Sequence, residues 1–113
     1  MDTFGSWVAQ LRKGVVELIA LELLRARGSM HGYAIVQALQ ELGELVAGVS
    51  TVYPVLKRLE SDGLVRSSWD TSGGGNPRKY YEITDAGRRF LEAARPEWQT
   101  LDGAMRALRE EKP

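Results

Sequence analysis

Ser50-Thr-Val-Tyr-Pro-Val-Leu-Lys-Arg-Leu-Glu-Ser-Asp-Gly63 reads as a short helix with one apolar side. Val52, Val55, Leu56 and Leu59 recur at helical spacing. Ser50 or Thr51 supplies a side-chain oxygen able to cap the first orphan N–H groups, and Pro54 suits only the beginning of a helix. Gly63 is a stop of the left-handed kind. The other side carries Thr51, Tyr53, Lys57 and Arg58: hydroxyls, a phenol and cations on a helix otherwise committed to a core. Such a helix fits a DNA groove, and it equally fits an ordinary amphipathic helix with a solvated face. The flanking segments separate the two.

Upstream, Trp7, Leu11, Val15, Leu18, Ile19 and Leu23 predict a helix from residue 6 to about 27, with Phe4 and Trp7 at its approach and Gly14 as a candidate joint. Ser29-Met-His-Gly32 is a tight break. A second helix follows over 33–42, and the link Glu44-Leu-Val-Ala-Gly-Val49 leads into the capped helix. Three helices with short connections give a helix-turn-helix arrangement. Beyond Gly63 the pattern shifts to period two. Leu64–Trp69 and Lys79–Thr84 are strand candidates around the glycine-rich tip Asp70-Thr-Ser-Gly-Gly-Gly-Asn-Pro77. A lone hairpin is marginal in water, so this one must lean on the helices.

Thr84 caps a final helix, with Asp85 in its favourable first turn. Gly87, Leu91, Ala94, Trp98, Leu101, Met105 and Leu108 alternate by four and three, the seam of a coiled coil. A second copy of the chain is the natural partner for such a seam, so a homodimer is expected. Pro96 interrupts the run and should kink the helix or split it near Arg95. The fold class is therefore mainly α with a small β-hairpin: a winged helix-turn-helix over 1–83 (wing about 64–83), followed by a dimerisation helix over 84–113.

Composition bounds what such a chain does. Its 113 residues allow one domain with one small core. No cysteine and a single histidine leave little for nucleophilic or metal-assisted catalysis, so neither catalytic nor metal-ligating residues are expected, and no cofactor. Ser72-Gly-Gly-Gly75 is not a phosphate loop, because no Gly-Lys-Ser/Thr follows it. No run is long and apolar enough to span a membrane, and no secretory leader is visible, so a cytoplasmic protein is expected.

Fifteen basic and fifteen acidic residues give zero net charge, and the pI is 6.6. Nucleic-acid-binding domains are commonly basic, and no segment rescues the balance: residues 1–49 hold four basic and five acidic groups, 50–83 five and four, 84–113 six and six. Any positive field must come from placing charges on different faces. The neutral charge keeps open a winged helix used only for protein assembly.

Three motifs in order carry a family resemblance: Met30-His-Gly-Tyr33; Ser50 through Gly63 with Leu64-Val65; and Arg78-Lys-Tyr-Tyr-Glu-Ile-Thr-Asp-Ala-Gly87. Over roughly residues 11–108 the chain resembles the PadR family of transcriptional regulators, and its single C-terminal helix is similar to the short-chain subgroup. The resemblance implies a dimeric repressor on a pseudo-palindromic operator in double-stranded DNA. For some members it also implies flat aromatic molecules held between the two subunits. The expected DNA-facing residues are Tyr33, Ser50, Thr51, Tyr53, Lys57, Arg58, Arg78 and Lys79. Tyr33 and His31 open the second helix, whose amides suit a phosphate, though a lone histidine there is more often a cap. Trp98, with Trp7 nearby, is the expected aromatic-ligand site; plain dimer packing would use the same tryptophan. Leu91, Ala94, Trp98, Leu101, Met105 and Leu108 are the expected dimer seam. Tyr80 and Tyr81 point to opposite faces of their strand, so one is structural.

Overall fold

The computed structural model describes residues 2–43 and 49–113, with no account of the Val49 side chain. Helices α1 (Thr3–Arg27), α2 (Gly32–Glu41) and α3 (Val49–Ser61) precede strands β2 (Val65–Asp70) and β3 (Arg78–Ile83) and the long helix α4 (Asp85–Glu110). A two-residue strand β1 (Met30–His31) lies between α1 and α2. The tight break expected at 29–32 is thus partly a strand. It pairs antiparallel with β3, Met30 opposite Tyr81 and His31 opposite Tyr80. The wing is consequently a three-stranded sheet in the order β1-β3-β2, not a two-stranded hairpin. Two residues are too few to display an alternation, which is why the pattern alone hid this strand.

The first helix begins at Thr3, capped by Asp2, whose Oδ1 accepts from Gly5 N–H at 2.9 Å. The helix thus starts three residues before the expected residue 6 and takes in Phe4 along with Trp7, and Gly14 is passed without a break. Helix α3 already includes Val49, so Ser50 and Thr51 lie in its first turn and do not cap it; most of the 44–49 link falls outside the described residues. Pro54 lies in the second turn, where it withholds an N–H from the Ser50 carbonyl.

The end of α3 is the tightest junction. Gly63 takes φ +75°, a conformation open to glycine without penalty. Leu64 N–H bonds Leu59 O at 2.9 Å and Gly63 N–H bonds Glu60 O at 3.0 Å, a Schellman stop. Thr84 ties the start of α4 to this stop: its hydroxyl donates to Gly63 O at 2.7 Å while accepting from Gly87 N–H at 3.0 Å. The cap expected at Thr84 is present, with Asp85 in the first turn.

Leu21, Leu24, Ile35, Leu39, Leu56 and Leu59 form the centre of one core, closed on the sheet side by Val65, Tyr81 and Ile83. Tyr81 is therefore the structural tyrosine of the pair. Leu91 joins this core at 2% exposure. Its place on the expected seam is thus already filled by its own chain: α4 starts against Leu64 and Ile83 at Gly87 and then packs on α1, where Arg95 reaches Glu22. Helix α4 continues through Pro96 without splitting, and the Thr100 hydroxyl donates to the Pro96 carbonyl at 2.9 Å.

Candidate nucleic-acid interface

The N-terminus of α2 and the outer side of α3 meet at one point. His31 caps α2, its Nδ1 accepting from Ala34 N–H at 3.3 Å, and its ring stands edge-on to Tyr80 with centroids 5.6 Å apart. The histidine is thus a cap, and Tyr33, two residues on, faces outward. Tyr33 is exposed. Gly32 is buried beneath the Tyr53 ring: a methyl group there would lie 2.7 Å from Tyr53 Cε1. The two phenols, Tyr33 and Tyr53, accordingly flank the amide end of α2, where a phosphate oxygen would be favoured.

The expected reading face of α3 is split by its own geometry. Neighbouring residues are turned by about 100° round a helix. Tyr53 and Lys57, four apart, share the exposed side nearer the wing, and Ser50 is exposed beside them. Arg58 turns the other way and reaches α1, where Nη1 meets Glu17 at 3.2 Å and Nε lies 4.0 Å from Asp62. Thr51 is half-buried on that same flank. Arg58 nevertheless keeps its side chain 69% exposed, so the ion pair to α1 leaves it on the outer surface, one helix step round from Lys57.

The wing is similarly divided. Across the β2–β3 pairing, Ser67 stands opposite Tyr81 and Trp69 opposite Lys79, one face; Ser68–Tyr80 and Asp70–Arg78 occupy the other. Lys79 is held from the first face by Glu60 of α3 at 3.4 Å, with its ammonium 5.5 Å from the Tyr81 ring and 6.0 Å from the Trp69 ring. The Glu60 carboxylate also accepts from the Ser67 hydroxyl. That bond, helped by the Lys79 ammonium, outweighs burial and holds the Glu60 carboxyl below the usual range. Burial pushes the Tyr81 phenol up, with Lys79 opposing.

Arg78 is exposed at the tip. Asp70 organises the turn, accepting from the Ser72 hydroxyl at 2.6 Å and backbone N–H at 2.9 Å, bonds that keep its carboxyl depressed. Trp69 is exposed on the wing and is absent from the expected site residues. Counting the alternation outward from Val65 would have placed it beside Lys79.

A second concavity lies between α1 and α4. It encloses about 710 Å³ and is lined by Leu11, Val15, Leu18, Leu91, Ala94 and Trp98 among others. Glu22 crosses its rim, accepting from Arg95 Nη2 at 2.8 Å and pairing with Arg25 at 3.2 Å. Burial raises the Glu22 carboxyl, but the two guanidinium groups outweigh it and hold it low. Trp7 is not among the lining residues; it contacts Phe4 instead, centroids 6.0 Å apart. Within one chain, then, only one of the two tryptophans expected at a ligand site reaches the groove. Past it, Trp98, Leu101, Met105 and Leu108 stand 51–67% exposed along α4.

A helix-turn-helix buttressed by a small antiparallel sheet is the winged-helix class of DNA-binding protein. The chain belongs to the PadR-like family of transcriptional regulators, whose model matches residues 20–93. It is similar to a PadR family transcriptional regulator from Eggerthella lenta, 38% identical, covering 98% of this chain and 96% of that one with a TM-score of 0.83. A PadR family regulator from Clostridium difficile is 32% identical over 82% of this chain and 96% of its own, TM-score 0.73. A PadR-like regulator from Bacillus cereus is 28% identical over 91% and 99%, TM-score 0.78. Among the described residues no helix is long and apolar enough to cross a membrane, and no acidic, histidine or cysteine cluster could hold a metal ion.

Proposed function

We propose that this protein is a dimeric repressor that reads a two-fold operator with α3 and the wing and is released by a flat hydrophobic molecule beside Trp98. The observation that carries the reading is the apolar stripe Trp98, Leu101, Met105 and Leu108, left exposed by its own chain while Gly87 and Leu91 of the same series are buried. A second copy laid along that stripe would cover it and present two recognition helices to one duplex, as an operator with half-sites about 34 Å apart requires.

Tyr33, Ser50, Tyr53 and Lys57 form the favoured groove face, and Arg78 extends it along the backbone from the wing tip. Hydroxyls and cations in that arrangement suit phosphates and base edges. The net charge of zero argues for specific over promiscuous binding. The α1–α4 groove has the size of small-molecule sites, which commonly run about 300–1,000 Å³. An occupant seated there would change the tilt of α4 and favour a spacing unsuited to the operator.

Selection of genomic fragments by the purified protein, followed by gel-shift titration with and without planar aromatic dyes, tests this. Sequence-selective retardation, released by dye in the native protein and not in Trp98→Ala, is expected. Failure to discriminate any fragment from bulk DNA at low and high salt would favour the second reading, a winged helix used for protein assembly, which the neutral charge supports.

A further inference from the structure

We infer that Glu60 is the positioning residue that sets the wing against the recognition helix, and that Lys79 serves this latch and does not contact phosphate. The inference rests on the DNA-reading role proposed above. Among the described residues Glu60 is the α3 carboxylate bonded to the sheet: it accepts from Ser67 on β2 and holds Lys79 of β3 at 3.4 Å. Its two oxygens therefore tie both long strands of the wing to a single turn of α3.

Charge gives the second argument. A carboxylate three residues after Lys57, on the wing side of the reading helix, would repel an approaching phosphate. With the Lys79 ammonium beside it, the crease between helix and wing carries no net charge. Lys79 is also seated over two rings, 5.5 Å from Tyr81 and 6.0 Å from Trp69, and both partners of the ion pair are only 34% exposed. Moving that ammonium to a phosphate would break the ion pair and both ring contacts and strand Glu60 facing the duplex. Arg78, one residue earlier and on the opposite face of the strand, carries none of these obligations to α3 and is the cation of the wing that meets DNA.

The test replaces the neutral pair by a neutral pair. Glu60→Gln/Lys79→Met keeps an acceptor for Ser67 and leaves the charge of the crease at zero. Operator and non-specific duplex affinities are measured across a salt series, and the Trp69 indole N–H is followed by NMR after assignment with Trp69→Phe. Expected are an unchanged salt slope, a shifted Trp69 indole signal, and a lowered ratio of operator to non-specific affinity, because a loosened wing costs register and not charge. A slope reduced by about 0.9, the signature of one lost phosphate contact, overturns the inference. So does an unmoved indole signal together with an unchanged affinity ratio. Glu60→Gln alone should raise the slope, by releasing Lys79 to the solvent side; a slope that does not rise counts against the latch. If the native protein discriminates no operator, the DNA-reading role fails, while the indole signal of the free protein still decides whether Glu60 and Lys79 hold the wing.

Discussion

The ring of Tyr53 lies directly over the α-carbon of Gly32, so that the recognition helix and the N-terminus of α2 are in contact through one phenol and one missing side chain. The contact seats Tyr53 at the end of α2 that also carries the exposed Tyr33, and it makes Gly32 a determinant of how α3 presents its outer face.

Gly32→Ala would bring a methyl group to 2.7 Å from Tyr53 Cε1 and 3.0 Å from its hydroxyl oxygen. The ring is 39% exposed, and as the far end of a flexible side chain it can yield to the methyl group. Alanine gains up to about 1 kcal/mol over glycine in a helix, which offsets the lost contact. Unfolding free energy should change by less than about 1 kcal/mol, while operator affinity falls. Chemical denaturation alongside gel-shift titration checks the pair of outcomes; a large stability loss with intact affinity would refute it.

Gly87→Ala has no such escape. The added methyl would meet the Leu64 carbonyl at 2.2 Å and Ile83 Cγ1 at 2.6 Å, backbone and core that cannot rotate away. A loss of about 1–3 kcal/mol is expected from overpacking. Thr84→Ala, which removes the cap and the bond to Gly63 O, should cost about 0.5–2 kcal/mol. Both are read as urea midpoints, and a Gly87→Ala midpoint equal to the native one would show that the junction can open.

Leu101→Glu/Met105→Glu places carboxylates on two side chains that are 63% and 62% exposed in the single chain. The fold of one copy should survive, since neither touches its core, but burying two charges per chain in an apolar seam is prohibitive. Sedimentation should show dimer for the native protein and monomer for the variant, with unchanged far-UV circular dichroism. Identical sedimentation would move the interface elsewhere.

The wing should loosen in acid. Glu60 is held below the ordinary glutamate value of about 4.3 by the Ser67 hydroxyl and by Lys79. A folded-state value below the unfolded one means that the ionised carboxylate favours the native wing. Its contribution is complete above the unfolded value and is lost as pH falls through the lower folded value. The Trp69 indole signal, close to Lys79, should stay constant at neutral pH and move only below the ordinary glutamate range. In Glu60→Gln that acid step should vanish; its persistence would assign the step to another carboxylate, Asp70 being the next depressed one on the wing.

Much of this protein follows from periodicity and punctuation along the chain. The apolar spacing from Val52 to Leu59, the stops at Gly28 and Gly63, the cap at Thr84 and the four-three alternation through Leu108 all express local rules: which side chains share a helix face, and where a backbone can turn. Those rules act between residues a few positions apart, so the winged helix-turn-helix and its long final helix are readable in order.

Packing between distant segments decided the rest. Met30–His31 became a strand because Tyr80 and Tyr81, fifty residues later, offered it an edge. Arg58 pairs across to α1 because the fold brings Glu17 within 3.2 Å of it. Lys79 was drawn to Glu60, and Leu91 was buried by its own core while Trp98, two turns on, was left uncovered. Each of these depends on which charges and surfaces the fold brings together. The partner a side chain finds across the core is set by where whole helices dock, and no window of the sequence holds both halves of such a pair.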